Sequence, residues 1–157
     1  ESPHNYCSMK WVAVGVVLML AAALVAPAVA VGEERYGYIT VKDVTIRLEN
    51  ENAVVTMNYT IDGGIAFLVF LLGKADLRQK TLDILNFNDT RVQYLDLERA
   101  EVRVNNVSDN YGQGSYWFPA HRFGVVVPSL TIITPQDVRR YENISEFPDG
   151  LGYFARR

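Results

Sequence analysis

The clearest pattern in the chain is an alternation of apolar and polar residues on both sides of the segment 49–52. The apolar positions are every second residue, namely Val44, Ile46 and Leu48 before it and Val55, Met57, Tyr59 and Ile61 after it. A period of two predicts half-buried strands, and the polar Glu-Asn-Glu-Asn between them predicts the turn of a hairpin. Ile39 and Val41 have the opposite parity to Val44, so we expect a β-bulge near Lys42–Asp43.

A continuous apolar run follows at Ile65–Leu72, between Gly63-Gly64 and Gly73. Eight apolar residues between glycines, most of them branched or aromatic, predict a strand covered on both faces. A buried helix is the alternative, because periodicity does not separate the two for a short apolar run.

One amphipathic helix is predicted over Asp76–Asn86. Asp76 is a candidate N-cap, and one helical stripe carries the apolar or small side chains, namely Leu77, Thr81, Leu82, Ile84 and Leu85. The remaining chain has several short strand-like runs, at 91–105, 116–118, 125–127 and 130–133. These elements predict an α+β, mostly β fold, in which an antiparallel sheet or β-sandwich is covered by the one helix.

The N-terminal region predicts export. Lys10 precedes the uncharged run Trp11–Val25, and Pro27 and the small-residue site Ala28-Val29-Ala30 follow. This order is typical of a secretory signal peptide at residues 9–30. The alternative is an uncleaved signal anchor that contacts the membrane through residues 10–31, since such a stretch is long enough to span a bilayer.

We interpret residues 1–8 as an extension upstream of the natural start, and residues 31–157 as a single extracytoplasmic β-rich domain. The expected location is therefore extracytoplasmic, either secreted or anchored to the outer face of the cell membrane.

Composition narrows the chemistry of that domain. The only cysteine of the chain is Cys7, so residues 31–157 have no disulfide and no thiolate nucleophile. After residue 30, 14 Lys and Arg stand against 17 Asp and Glu, without a large basic cluster. We therefore expect no nucleic-acid partner, no metal site and no cofactor.

Four Asn-x-Ser/Thr triplets, none with proline in the middle, are candidate glycosylation sites. They begin at Asn58, Asn88, Asn106 and Asn143. The alternative is that they are ordinary polar residues of turns and strand faces.

Catalytic signals are sparse, because His121 is the only histidine after the leader and no serine lies in a nucleophile elbow. The one enzyme hypothesis rests on Asp96, Glu98 and Glu101. Acids at alternate positions of a strand could have the spacing of a glycosidase pair. A solvated strand face paired with arginines is the alternative, and we expect the domain not to be an enzyme.

The most unusual segment is the aromatic loop 111–118. Its candidate ligand-binding residues are rings interleaved with small polar residues and followed by two basic side chains, namely Tyr111, Tyr116, Trp117, His121 and Arg122. Exposed rings could form a platform for sugar rings or for a partner protein. The alternative places Trp117 and Phe118 in the core, with the glycines serving only to turn the chain.

Two stretches carry a family resemblance: Phe67–Asn86, with the run Leu-Leu-Gly-Lys-Ala-Asp-Leu, and Tyr116-Trp117-Phe118-Pro119. They resemble uncharacterised exported proteins of methanogenic archaea, which implies an archaeal envelope and adds no catalytic residue. The sequence thus favours a non-catalytic cell-envelope domain that is structural or binds a glycan or protein partner. A small carbohydrate-active enzyme and an accessory subunit of a membrane-associated complex are the alternatives.

Overall fold

The computed structural model describes residues 37–155, so the predicted extension and signal segment lie outside the described residues. The elements in chain order are β1 (Ile39–Glu49), β2 (Asn52–Ile61), α1 (Gly63–Leu72), α2 (Ala75–Leu85), β3 (Thr90–Leu95), β4 (Arg99–Val104), β5 (Asp109–Gly112), β6 (Ser115–Phe118), β7 (His121–Ile133), β8 (Val138–Phe147) and β9 (Leu151–Phe154). The prediction of a mostly β fold is confirmed.

The first hairpin follows directly from the alternation. β1 and β2 pair antiparallel from Ile39–Ile61 to Glu49–Asn52, and the register shifts between Val41 and Asp43. This is the predicted bulge, and it reconciles the two parities of β1. The apolar residues on one face of both strands are buried, as the period of two requires.

The large sheet has six strands in the order β3-β4-β2-β1-β7-β8. Its pairs are antiparallel except β1 and β7, which are parallel between Val44–Leu130 and Arg47–Ile133. The sheet is therefore mixed rather than purely antiparallel. A separate antiparallel sheet, in the order β5-β6-β9, is called the small sheet below.

The prediction of a strand at Ile65–Leu72 is wrong, because this run forms the helix α1. Asp62 caps it by accepting a hydrogen bond from the Gly64 amide at 3.0 Å, and Gly73 ends it at φ 96°. The expectation that the run is covered on both faces is also wrong, since Phe67 is 63 % and Leu71 is 59 % exposed. Capping residues, which the apolar pattern does not weigh, decide between strand and helix here.

The predicted amphipathic helix is confirmed as α2, and the predicted stripe supplies its buried side chains. It ends at Asn86 in the left-handed conformation, as a helix C-terminus commonly does. Asp76 is not its N-cap. Lys74 holds that position without a side-chain bond, and Asp76 instead accepts a hydrogen bond from the Tyr38 hydroxyl.

A single apolar core joins the large sheet, α2 and the small sheet. Its largest fully buried side chains come from all three parts and include Tyr59, Met57, Leu77, Ile84 and Phe118. Tyr153 of β9 donates its hydroxyl to the Asn50 carbonyl, which fixes the small sheet to the β1–β2 turn. Within residues 37–155, the model contains no helix with the length and apolar character needed to cross a membrane.

Candidate functional site

The aromatic strand β6 places its neighbouring rings on opposite faces of the small sheet, because side chains alternate along a strand. Phe118 is 1 % exposed and stacks on Phe147 at 5.7 Å between ring centroids. Trp117 faces outward and is 39 % exposed. Phe118 alone is thus the core residue of the segment, and the interpretation of Trp117 as a second core residue is wrong.

The Trp117 indole lies over two glycines at the start of β9. A Cβ atom at Gly150 would lie 2.6 Å from the indole Cζ2, and one at Gly152 would lie 3.5 Å from its Cε3. Only hydrogen fits beneath the ring at Gly150, whose φ of 67° also suits glycine. The ring therefore packs against this backbone, while Trp117 as a whole remains partly exposed.

A second exposed ring shares this face. Trp117 pairs with Gly152 across β6 and β9, and Phe154 lies two residues further along the same strand, so its side chain points to the same side. Phe154 is 62 % exposed. The Gln136 amide holds the free edge of β9 at this residue, since Nε2 donates to the Phe154 carbonyl at 2.9 Å and Oε1 accepts from its amide at 3.0 Å.

Tyr111 lies in the adjacent strand β5 and is the most exposed of the predicted rings, at 72 %. The register of β5 shifts between Asn110 and Gly112, so Tyr111 lies at a bulge. Asn110 supports the segment by donating to the Glu51 carboxylate. We call the three exposed rings of the small sheet, Tyr111, Trp117 and Phe154, the aromatic face. Phe154 is the member that the sequence analysis missed, although a strand with glycines opposite an aromatic residue is a known signal of such packing.

Tyr116 does not belong to the aromatic face. It points to the inner side of the small sheet, where it is partly buried and stacks on Tyr153 at 5.6 Å. The alternation along β6 requires this, since Tyr116 and Phe118 share a parity.

His121 does not border the aromatic face either. Its ring stacks on Phe87 at 3.8 Å and meets the edge of Phe123, and its Nε2 donates to the Leu85 carbonyl at 2.8 Å. Burial lowers the pKa of His121, and the bond to Leu85 opposes that shift. The imidazole therefore joins α2 to β7 as a neutral, structural group.

Arg122 is exposed, but it is paired with Glu146 of β8 at 3.5 Å rather than with a ring. Of the five predicted binding residues, Trp117 and Tyr111 are thus the two exposed rings, and they lie on neighbouring strands of the small sheet.

The four candidate glycosylation sites differ in exposure. Asn88, Asn106 and Asn143 are exposed, and the last two have left-handed backbones. Asn58 is partly buried and donates its amide to the Asp43 carboxylate at 2.9 Å. A glycan on Asn58 would have to leave from a partly buried amide that keeps a single N–H for Asp43, so the three exposed sites are better suited to modification.

The acids of the enzyme hypothesis line a polar groove of about 730 Å³, located where β3 ends and β4 begins. The enzyme hypothesis expected Asp96 and Glu98 to share a strand. They do not, because the chain turns between the end of β3 and the start of β4. Asp96 forms this turn by accepting from the amides of Glu98 and Arg99 at 2.8 and 2.9 Å and from the Tyr94 hydroxyl.

These contacts determine the chemistry of the groove. The Tyr94 hydrogen bond, followed by the Glu98 amide, lowers the pKa of Asp96. A general acid needs the opposite shift. Glu101 is paired with Arg99 at 3.1 Å, which matches the alternative of a strand face paired with arginines. Among residues 37–155, no group of three or more His, Cys, Asp or Glu is arranged to hold a metal ion.

Comparisons of the chain with protein-family models, with curated proteins and with solved structures found no match, so the functional argument rests on the geometry described above.

Proposed function

We propose that this chain is an exported, non-catalytic domain of the cell envelope that binds a glycan through the aromatic face. The observation that carries the proposal is Trp117, whose indole packs on the backbone of Gly150 and Gly152 while the residue stays 39 % exposed. An indole fixed in this way loses little conformational freedom when a ligand binds, and such pre-organisation raises affinity.

The chemistry around the rings suits a sugar. The apolar C–H face of a pyranose packs on an aromatic ring, while its hydroxyls need polar partners nearby. Asp109 pairs with Trp117 across β5 and β6, and Ser115 lies two residues before it, so both side chains are on the same face as the indole. A carboxylate and a hydroxyl are thus available beside the ring.

A glycan is favoured over a protein partner because the rings lie among small polar residues. Protein hot spots instead cluster in well-packed pockets that become fully desolvated on binding. The rings of the aromatic face are separated by the polar and glycine positions of β5, β6 and β9.

The position of the aromatic face agrees with a role in the envelope. The small sheet is tied to the β1–β2 turn, whereas the chain from the predicted signal segment enters at the other end of β1. Ten residue steps of a strand separate those ends by about 33 Å. The aromatic face therefore lies far from the point at which a membrane-inserted segment would join the domain.

The proposal is tested by probing the full-length chain, in mild detergent, on an array of oligosaccharides. We expect binding to a subset, with a loss of about tenfold, or about 1.4 kcal/mol, in each of Tyr111→Ala and Phe154→Ala. Both side chains are largely exposed, so their removal leaves the fold intact. Val138→Ala is the matched control, since Val138 is an exposed apolar residue outside the aromatic face. Absence of any glycan ligand, or equal losses in all three variants, would contradict the proposal.

A further inference from the structure

Helix α1 is the most apolar exposed element among the described residues. From Gly63 to Gly73 it carries no charged or polar side chain. Phe67, Leu68 and Leu71 are all exposed, and their spacing of i, i+1 and i+4 places them on one helical face. Val69 is buried against the core, so the helix is attached to the domain on one side and bare on the other.

A helix that is apolar all round is normally buried, so an exposed one requires a partner. The ten residues of α1 extend about 15 Å, which is half of a bilayer's hydrocarbon core. Such a helix cannot cross a membrane, but it can lie in the interface with its bare face among the acyl chains.

The position of α1 in the chain identifies a bilayer as that partner. If the N-terminal signal stays uncleaved, the uncharged segment 11–31 is the part of the chain that enters the membrane, and residues 32–36 lie between it and the described fold. The six residue steps from 31 to 37 reach at most about 20 Å. The chain then enters the domain beside α1, because the Tyr38 carbonyl accepts from the Asp62 amide and Ile39 pairs with Ile61.

The residues that flank α1 are those found at membrane interfaces. Tyr38 lies next to the start of the helix, and the Lys80 ammonium lies 4.2 Å from the centre of its ring. Lys74 follows the helix directly and donates to the Leu95 carbonyl at 2.7 Å. Tyrosine is enriched where a protein meets the headgroup region, and lysine serves as an interfacial anchor.

We infer that α1 is a membrane-contact helix that inserts Phe67, Leu68 and Leu71 into the outer leaflet. This contact adds to whatever residues 10–31 provide. It holds the start of β1 against the bilayer, while the small sheet is tied through Tyr153 to the other end of that strand, which is about 33 Å long.

The test places an environment-sensitive fluorophore on single cysteines of the full-length chain in vesicles of phosphatidylcholine and phosphatidylglycerol. Cys7→Ser removes the only native thiol, and Leu71→Cys and Phe67→Cys place the label on α1. Val138→Cys is the control. It is 54 % exposed, close to the 59 % of Leu71, and its partner Ile133 lies at the end of the sheet away from Ile39.

We expect labels at 67 and 71 to shift to the blue and to be quenched by spin-labelled lipid. Shallow spin labels should quench more than deep ones, since an interfacial helix reaches only about 5–10 Å into the leaflet. The label at 138 should show neither effect. A blue shift without lipid quenching would mean that a second copy or residues 11–31 cover α1, and it would overturn the inference. Labels at 67 and 71 that report water, like the label at 138, would overturn it as well.

Discussion

The two phenylalanines of the small sheet offer the sharpest test of which face is core and which is free. Phe118 and Phe154 have the same side chain and lie on neighbouring strands, but their exposed fractions are 1 % and 62 %. Phe118→Ala removes a ring packed on Phe147 and leaves a closed cavity, which costs about 3–5 kcal/mol.

Phe154→Ala should cost much less. A phenylalanine offers roughly 200 Å² of surface, of which about 80 Å² is covered here. At about 25 cal/mol per Å² this amounts to about 2 kcal/mol as an upper bound, and about 1.2–1.8 kcal/mol once a compact unfolded chain is considered. Trp117→Ala should fall between the two, at about 2–3 kcal/mol by the same arithmetic on about 150 Å² of covered surface. Its ring covers more backbone than Phe154 does, but its removal opens a site to solvent instead of creating a cavity.

Equilibrium urea unfolding of the full-length chain, followed by far-UV circular dichroism in mild detergent, measures all three costs. We predict that the loss of unfolding free energy increases from Phe154→Ala through Trp117→Ala to Phe118→Ala. Against a typical total of about 5–15 kcal/mol, the last change alone could unfold the domain. A cost for Phe154→Ala equal to that for Phe118→Ala, or a larger cost for Trp117→Ala than for Phe118→Ala, would refute the assignment of faces.

Three further predictions concern titration and metal. The folded-state pKa of His121 is lowered by burial, so stability should be fully present above about pH 6.5 and fall as the pH drops below that value. His121→Phe keeps the stack on Phe87 and should flatten this dependence in thermal melts from pH 7 to 5; an unchanged slope would contradict the assignment. The folded-state pKa of Asp96 is lowered too, so its contribution is present above about pH 4 and lost as the pH falls through the lowered value. Asp96→Asn should therefore lower the melting temperature at pH 7 and reduce its loss in acid, and equal acid sensitivity of both proteins would count against the Tyr94 contact. Excess chelator should leave the melting temperature unchanged, and a drop of several degrees would reveal a carboxylate metal site.

The sequence predicted the elements in which local pattern and burial agree. The alternation on both sides of Glu49–Asn52 gave the first hairpin, and the parity change of Ile39 and Val41 gave its bulge. The stripe of α2 was also correct, since its buried side chains coincide with the apolar and small positions of a period of 3.6.

Helix α1 was only the alternative prediction for Ile65–Leu72, because this apolar run has no periodicity and its pattern does not include the capping by Asp62 and Gly73. The parallel pairing of β1 with β7 was likewise beyond the pattern, because alternation reports which face is buried but not which strand lies alongside.

The candidate site was predicted in part. Composition identified the aromatic segment, but only the pairing of β6 with β9 shows that Trp117 faces out, that Tyr116 faces in and that Phe154 joins the same surface. His121 and Arg122 were included for their nearness in sequence. After Pro119 and Ala120 the chain enters β7, which belongs to the large sheet. The side chains of His121 and Arg122 therefore have different neighbours from those of β6.

The measurement that tests the central proposal most directly is the fluorescence of Trp117 during titration with the best ligand from the glycan array. Trp11 and Trp117 are the only tryptophans of the chain, so a Trp11→Phe variant reports Trp117 alone. We predict a saturable change in Trp117 emission over the concentration range in which the glycan binds. Addition of buffer without glycan should produce no change. Binding of the same glycan with no change in the Trp117 signal would contradict the account, because the sugar would then lie somewhere other than on the aromatic face.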